Sequence, residues 1–78
     1  QSLACFQEGL AIEERLGDDY ASATAMLNIA DVLEQLTRRD EAVKYYEAAL
    51  ATAGKLEPTL GKTVLEDAAR KGLTRLRV

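Results

Sequence analysis

Two apolar stripes with helical spacing, separated by a short polar segment, constrain the fold of this chain most strongly. Within residues 25–56 the apolar side chains recur at intervals of three and four, which places them on one face of an α-helix. The polar segment at residues 37–40 is long enough only for a tight reversal. The pattern therefore predicts two antiparallel helices that bury their stripes against each other.

The residues of this hairpin resemble the tetratricopeptide repeat (TPR) family. The large, small and aromatic positions of the family's signature fall on Met26, Ile29, Ala30, Leu33, Ala42 and Tyr46. Small residues at Ala30 and Ala42 would let the two backbones approach where the helices cross. Three positions depart from the pattern: Thr37 stands where the family usually has Gly, Arg39 where an aromatic residue is common, and Gly54 where Pro closes the repeat. The resemblance implies an α-solenoid built from antiparallel helical hairpins.

The chain also contains an internal repeat. A displacement of forty residues superimposes Phe6 on Tyr46 and Leu10 on Leu50. This period resembles the longer-helix TPR subtype of kinesin light chains, which also occurs in bacterial signalling ATPases and transcription regulators. The first helix then corresponds to the second helix of a repeat. We expect a half repeat at 1–17, a full repeat at 18–57 and a degenerate capping helix at 58–78, in a fragment of a longer protein.

Local signals predict an all-α chain with four helices, at residues 2–16, 19–36, 40–56 and 60–76. Gly17 is suited to end the first helix, and the Asp that follows it can cap the second. Pro58 prevents the third helix from extending. Thr63 and Glu66 match a capping box, which leaves open a later start of the fourth helix, near Val64.

Composition argues against catalysis. The 78 residues include no histidine and a single cysteine, Cys5, so the commonest general base is missing and no internal disulfide can form. No phosphate-binding glycine loop and no zinc-ligand spacing occurs in the sequence. We therefore expect no enzyme, no cofactor and no metal site. The sequence also has no signal peptide and no apolar run of about 18 residues, so we expect a cytoplasmic protein without membrane contact.

Charge is distributed unevenly along the chain. Residues 1–60 carry eleven acidic and five basic side chains, whereas residues 61–78 carry two acidic and five basic ones. The basic last helix could contact nucleic acid or an acidic partner, or it could neutralise the acidic remainder of its own chain. No aromatic residue lies among these bases to stack on nucleotides, which makes nucleic acid the less favoured partner.

The TPR resemblance implies binding of a peptide or partner protein on the surface formed by the first helix of each repeat. The residues expected on that surface are Thr24, Leu27, Asn28, Asp31, Glu34 and Gln35. Asn28 is the candidate for hydrogen bonds to an extended peptide, because an amide both donates and accepts. Asp31 and Glu34 would repel carboxylates, so we expect a peptide that is poor in acidic residues. The family's clamp for chaperone tails needs Lys at Leu27 and Asn at Asp31, so that activity is not expected here.

The first helix is predicted to expose an apolar side. Its apolar residues spread around the helix, and the second helix can cover only one side. The residues concerned are Leu3, Phe6, Leu10 and Ile12. Two copies could cover each other through a two-fold contact between first helices, or exchange helices across residues 37–40. The alternative to a scaffold is therefore an oligomerisation module of a multidomain signalling or transcription regulator. In that case the chain would form a homo-oligomer.

Overall fold

The computed structural model describes residues 2–77, which form four α-helices and no strand. The helices are α1 (Leu3–Leu16), α2 (Asp19–Gln35), α3 (Arg39–Ala53) and α4 (Leu60–Leu76). The all-α prediction and the number of helices are confirmed. Residues 1 and 78, which belong to the predicted half repeat and the predicted last segment, lie outside the described range.

Side-chain caps fix where three of the helices begin. Ser2, Asp18 and Thr59 each accept a hydrogen bond from the backbone N–H three residues later. These bonds satisfy amide groups that have no partner within the first helical turn. Helix α3 begins without a side-chain cap, but its first turn holds Asp40 and Glu41, whose charges favour the positive end of the helix dipole.

Helix α2 lies at the centre of the fold, because it packs against α1 and α3 and also contacts α4. Ile29 and Leu33 are its largest fully buried side chains. Ala30 of α2 and Ala42 of α3 are completely buried in the same core, as the predicted close approach of the two backbones requires. The core consists of Leu10, Ala25, Met26, Ile29, Ala30, Leu33, Ala42, Tyr46, Ala49, Ala69 and Leu73.

Helix α3 ends earlier than predicted. The prediction placed its end at residue 56, whereas the helix stops at Ala53 and a turn follows. The ammonium group of Lys62 donates hydrogen bonds to the carbonyl oxygens of Gly54 (3.3 Å) and Leu56 (3.2 Å). A positive charge at this position stabilises the carbonyl groups that a helix end leaves without partners. A contact from α4 therefore favours the early end of α3.

Helix α4 has its predicted bounds but not a uniformly polar outer face. Thr59 caps the helix, and the hydroxyl of Thr63 donates to the Thr59 carbonyl, so the later start near Val64 is wrong. Leu60 and Val64 are 79% and 56% exposed. The outer face therefore includes exposed apolar residues in the N-terminal half of the helix.

The turn between α2 and α3 has the backbone conformation that a glycine would adopt. Thr37 has a φ angle of 58°, in the left-handed region. Its N–H donates to the Glu34 carbonyl (3.0 Å), and the N–H of Arg38 donates to the Leu33 carbonyl (2.9 Å). This is the Schellman pattern of helix termination. For a non-glycine residue the left-handed conformation costs about 1–2 kcal/mol, so the family's usual Gly at this place has a physical reason here.

Thr37→Gly is expected to raise the free energy of unfolding by about 1 kcal/mol, because the gain from relieved strain exceeds the entropy that glycine adds to the unfolded chain. Thr37→Ala is the matched control, since it removes the hydroxyl but keeps a Cβ in the left-handed region. Urea unfolding of the three proteins provides the comparison. A glycine variant no more stable than the alanine variant would show that the turn is not strained.

Candidate protein-binding groove

A polar cluster joins three helices through Glu34 of α2, Tyr46 of α3 and Arg75 of α4. The Nε and Nη2 atoms of Arg75 donate to Oε2 (2.6 Å) and Oε1 (2.7 Å) of Glu34. The Tyr46 hydroxyl donates to Oε1 of Glu34 (3.0 Å) and accepts from Nη2 of Arg75 (3.2 Å). A two-pronged arginine–carboxylate contact fixes geometry as well as charge. The cluster therefore sets the positions of the three helices relative to each other.

The pKa shifts in this cluster follow from its hydrogen bonds and burial. The hydrogen bond from Arg75 lowers the pKa of Glu34 below its ordinary value of 4.5. Burial, followed by the hydrogen bond to Glu34, raises the pKa of Tyr46 to about 12. The hydrogen bond to Glu34 also raises the pKa of Arg75. At neutral pH Glu34 is therefore the charged acceptor, and Tyr46 is a neutral donor.

Gly72 of α4 lets the Tyr46 ring reach this position. Gly72 is buried, and a Cβ atom added to it would lie 2.5 Å from Cε1 and 2.7 Å from Cε2 of the ring. These distances are far shorter than carbon–carbon contact. A larger residue at position 72 would therefore displace either the ring or helix α4.

The structure gives the predicted peptide-binding residues of α2 different roles. Glu34 is held in the polar cluster, so its predicted role in repelling a peptide carboxylate is weakened by the charge of Arg75. Asp31 accepts a hydrogen bond from the side chain of Gln35 (3.1 Å). The Thr24 hydroxyl donates to a carbonyl of its own helix, and Leu27 is half-buried beside the core.

A groove with a mainly apolar lining runs between α1 and α2. Its volume is about 350 Å³, and Glu13 is the one charged residue of its lining. Two of the predicted binding residues, Thr24 and Asn28, lie at this groove. The lining residues are Cys5, Phe6, Gly9, Glu13, Tyr20, Ala21, Thr24, Ala25 and Asn28. An apolar groove with a few polar groups is the kind of site that binds an apolar segment of another protein.

The α1 side of the groove corresponds to a surface of α3 that is buried in the core shared with α2 and α4. At a displacement of forty residues, Phe6 and Gly9 correspond to Tyr46 and Ala49. Tyr46 and Ala49 are 4% and 1% exposed, in the core that they share with α2. Gly9 was not predicted as a site residue, although the repeat contained this signal. The α1 wall of the groove is thus equivalent to a helix-binding surface in the same molecule.

The four residues predicted to mediate self-association do not form one exposed patch. Leu10 is only 8% exposed and belongs to the core, because it faces α2. It therefore cannot contribute to such a patch in the folded chain. Leu3 and Phe6 are half-buried against the same core, and Ile12 is exposed. Of the four, Phe6 lines the groove.

Two arginines near the C-terminal end pair with acidic groups on other helices of the same chain. Besides the contact of Arg75 with Glu34, Arg77 pairs with Glu47 of α3. These pairs favour the interpretation that the basic segment complements the acidic remainder of the chain. Both side chains of the Arg77–Glu47 pair are more than half exposed, so the main effect of this pair is on charge balance rather than on stability.

Comparison with known families identifies the repeat. The sequence profile described as tetratricopeptide repeat matches residues 1–55. This chain belongs to the tetratricopeptide repeat family. TPR units are non-catalytic repeats that generally mediate protein–protein interaction. No curated protein and no solved structure shows significant similarity to this TPR chain.

Two structural features are absent from residues 2–77 of the TPR chain. None of the helices in this range is long and apolar enough to cross a membrane. The same range contains no group of three or more Cys, Asp or Glu residues that could hold a metal ion.

Proposed function

We propose that this TPR chain is a protein-interaction scaffold without catalysis, which binds an apolar segment of a partner protein between α1 and α2. The groove itself is the observation that supports the proposal. Its lining is mainly apolar, and its α1 wall corresponds to a surface that already binds a helix elsewhere in the chain. Burial of the partner's apolar side chains would drive binding, at roughly 25 cal/mol for each Å² removed from water.

Polar groups at the groove would set the orientation and the charge preference of the partner. Asn28 is exposed beside the apolar lining and can both donate to and accept from a peptide unit. Glu13 lines the groove, and Asp31 is exposed on α2 one helical turn beyond Asn28. These carboxylates would repel acidic side chains, so we propose a partner segment that is poor in acidic residues.

We also propose that the chain belongs to the longer-helix TPR subtype of kinesin light chains and bacterial signalling and regulatory proteins. The caps of α2 and α4, Asp18 and Thr59, are consistent with a repeat period near forty. On this proposal α1 is a half repeat, α2 and α3 form the full repeat, and α4 begins another. A cytoplasmic location is proposed because Cys5 is an exposed free thiol, which suits a reducing compartment.

Asn28→Ala is expected to weaken binding of a groove-directed peptide by about 0.5–1.5 kcal/mol, the net value of one hydrogen bond. The probe is a peptide selected on the immobilised chain from a displayed random library and then synthesised. Isothermal titration calorimetry gives its affinity for the wild type and for the variant.

Gln7→Ala serves as the control, because it removes an exposed amide from α1 at a position that does not line the groove. We expect it to bind the peptide as tightly as the wild type. Gly9→Lys, which adds a charged side chain to the groove, should abolish binding. A selected peptide that binds Gly9→Lys and the wild type equally would show that the groove is not the site.

A further inference from the structure

We propose that the groove between α1 and α2 of one copy receives helix α4 of a second copy. The inference rests on the proposed function of the groove as a protein-binding site, and it names this chain as a partner. The groove involves α1 and α2, whereas the second surface lies on α4. Each copy of the chain therefore carries both surfaces.

Helix α4 carries the apolar stripe that this contact needs. Leu60, Val64 and Ala68 follow each other at intervals of four, which places them on one face of the helix. All three side chains are exposed. An apolar stripe on one face of a helix is typical of a surface that packs against another protein element.

The groove and the stripe are both uncovered within the described residues 2–77. Helix α3 buries Tyr46 and Ala49 in the core that it shares with α2 and α4. Helix α1 presents the corresponding Phe6 and Gly9 to the open groove. Helix α4 packs against α3 on one side and is exposed on the other. Docking α4 of one copy on α1 of the next would therefore cover both open surfaces in a single contact.

Charge complementarity supports the same pairing. Residues 2–36, which include α1 and α2, carry seven acidic side chains and one basic side chain. Lys71 continues the exposed face of α4 beyond Ala68 and is itself exposed. Lys71 of one copy would thus approach the acidic helices of another, while Arg75 and Arg77 stay paired within their own chain. Such complementarity accelerates and orients association more than it strengthens it.

The geometry of this contact differs from that of a two-fold dimer. The groove and the stripe are different surfaces, so each added copy leaves one of each available. Copies are therefore expected to associate head to tail into chains of increasing length. A two-fold contact between two α1 helices would instead stop at a dimer.

The test uses sedimentation equilibrium of the 78-residue chain and two variants, up to the solubility limit. Gly9→Lys blocks the groove, and Val64→Glu places a charge in the stripe. Both sites tolerate change, because a Cβ at Gly9 would meet no atom closer than 4.0 Å and Val64 is exposed. Circular dichroism confirms that each variant is folded. The wild type is expected to associate progressively with concentration, and each variant should associate at least about tenfold more weakly.

Sedimentation equilibrium of an equimolar mixture of the two variants is the decisive measurement. Gly9→Lys keeps an intact stripe and Val64→Glu an intact groove, so the mixture should form a one-to-one dimer and nothing larger. A mixture that stays monomeric, or a Val64→Glu variant that associates as well as the wild type, overturns the proposal.

Failure of this inference is distinguishable from failure of the proposed function. Val64→Glu leaves the groove intact and should bind the selected peptide as the wild type does. If it does so while wild-type copies remain monomeric, the second copy is excluded as partner and the groove remains a binding site.

Discussion

Replacing Gly72 by alanine is expected to lower the free energy of unfolding by about 1–3 kcal/mol, the usual cost of overpacking. The sign of this change is diagnostic, because replacing glycine by alanine in a helix interior ordinarily stabilises a protein by about 1 kcal/mol. The added methyl group would collide with the Tyr46 ring, which is buried and hydrogen-bonded to Glu34 and Arg75. The ring cannot yield without breaking that cluster. Urea unfolding of both proteins gives the difference.

Gly9→Ala is the matched control for this prediction. Gly9 also lies within a helix, but a Cβ there would have only the Glu13 carboxylate as a neighbour, at 4.0 Å. We expect this variant to be more stable than the wild type by about 0.5–1 kcal/mol, the difference in helix propensity. The cost of Gly72→Ala should also disappear when Tyr46 is replaced by alanine. Stabilisation by Gly72→Ala in the wild-type background would mean that the ring does not rest on α4.

The free energy of unfolding is expected to fall by about 2 kcal/mol between pH 10 and pH 12 because of the titration of Tyr46. Each unit of pKa shift corresponds to about 1.4 kcal/mol. Burial and the hydrogen bond to Glu34 raise the pKa of Tyr46 from 10.0 to about 12. Above pH 10 the unfolded chain therefore releases the phenolic proton while the folded chain retains it. The contribution of Tyr46 is fully present below pH 10 and is lost as the pH rises towards 12.

Tyr46→Phe isolates this effect from the other groups that titrate in alkaline solution. Phenylalanine keeps the ring but has no proton to release, so the variant responds only to the remaining groups. At neutral pH it should be less stable than the wild type, because the hydroxyl bonds to Glu34 and Arg75 are missing. The two unfolding free energies should converge as the pH increases. A constant difference between pH 9 and pH 12 would contradict the raised pKa.

The central hairpin could be predicted from sequence because its determinants are local. The spacing of Met26, Ile29 and Leu33 specifies one face of α2, and these residues are buried as predicted. The end of α3 could not be predicted in this way. Lys62, which lies on the next helix, favours this end by donating to the carbonyls of Gly54 and Leu56. Gly54, directly after the last helical residue, is a local signal for this end, but the prediction followed the apolar pattern to Leu56.

The candidate site was only partly predictable for the same reason. Asn28 and Thr24 were predicted to face a binding surface, and both lie at the groove. Glu34 was predicted there too, but Arg75, which is 41 positions away in sequence, holds it in the polar cluster. Leu10 belongs to an apolar pattern that surrounds α1, and only the packing of α2 shows which side is covered. Helical periodicity places a residue on a face but does not identify what covers that face.

The contact between Glu34 and Arg75 has a consequence for cooperativity. In a solenoid each unit generally depends only on its immediate neighbours, so a helix at the edge of the array can fray while the rest stays folded. Here the contact extends from α2 past α3 to α4. Fraying of α4 would remove Arg75 from both Glu34 and Tyr46, and would uncover the ring that rests on Gly72. Local opening at this edge is thereby coupled to the interior, and α4 is linked with α2 and α3 into one unfolding unit.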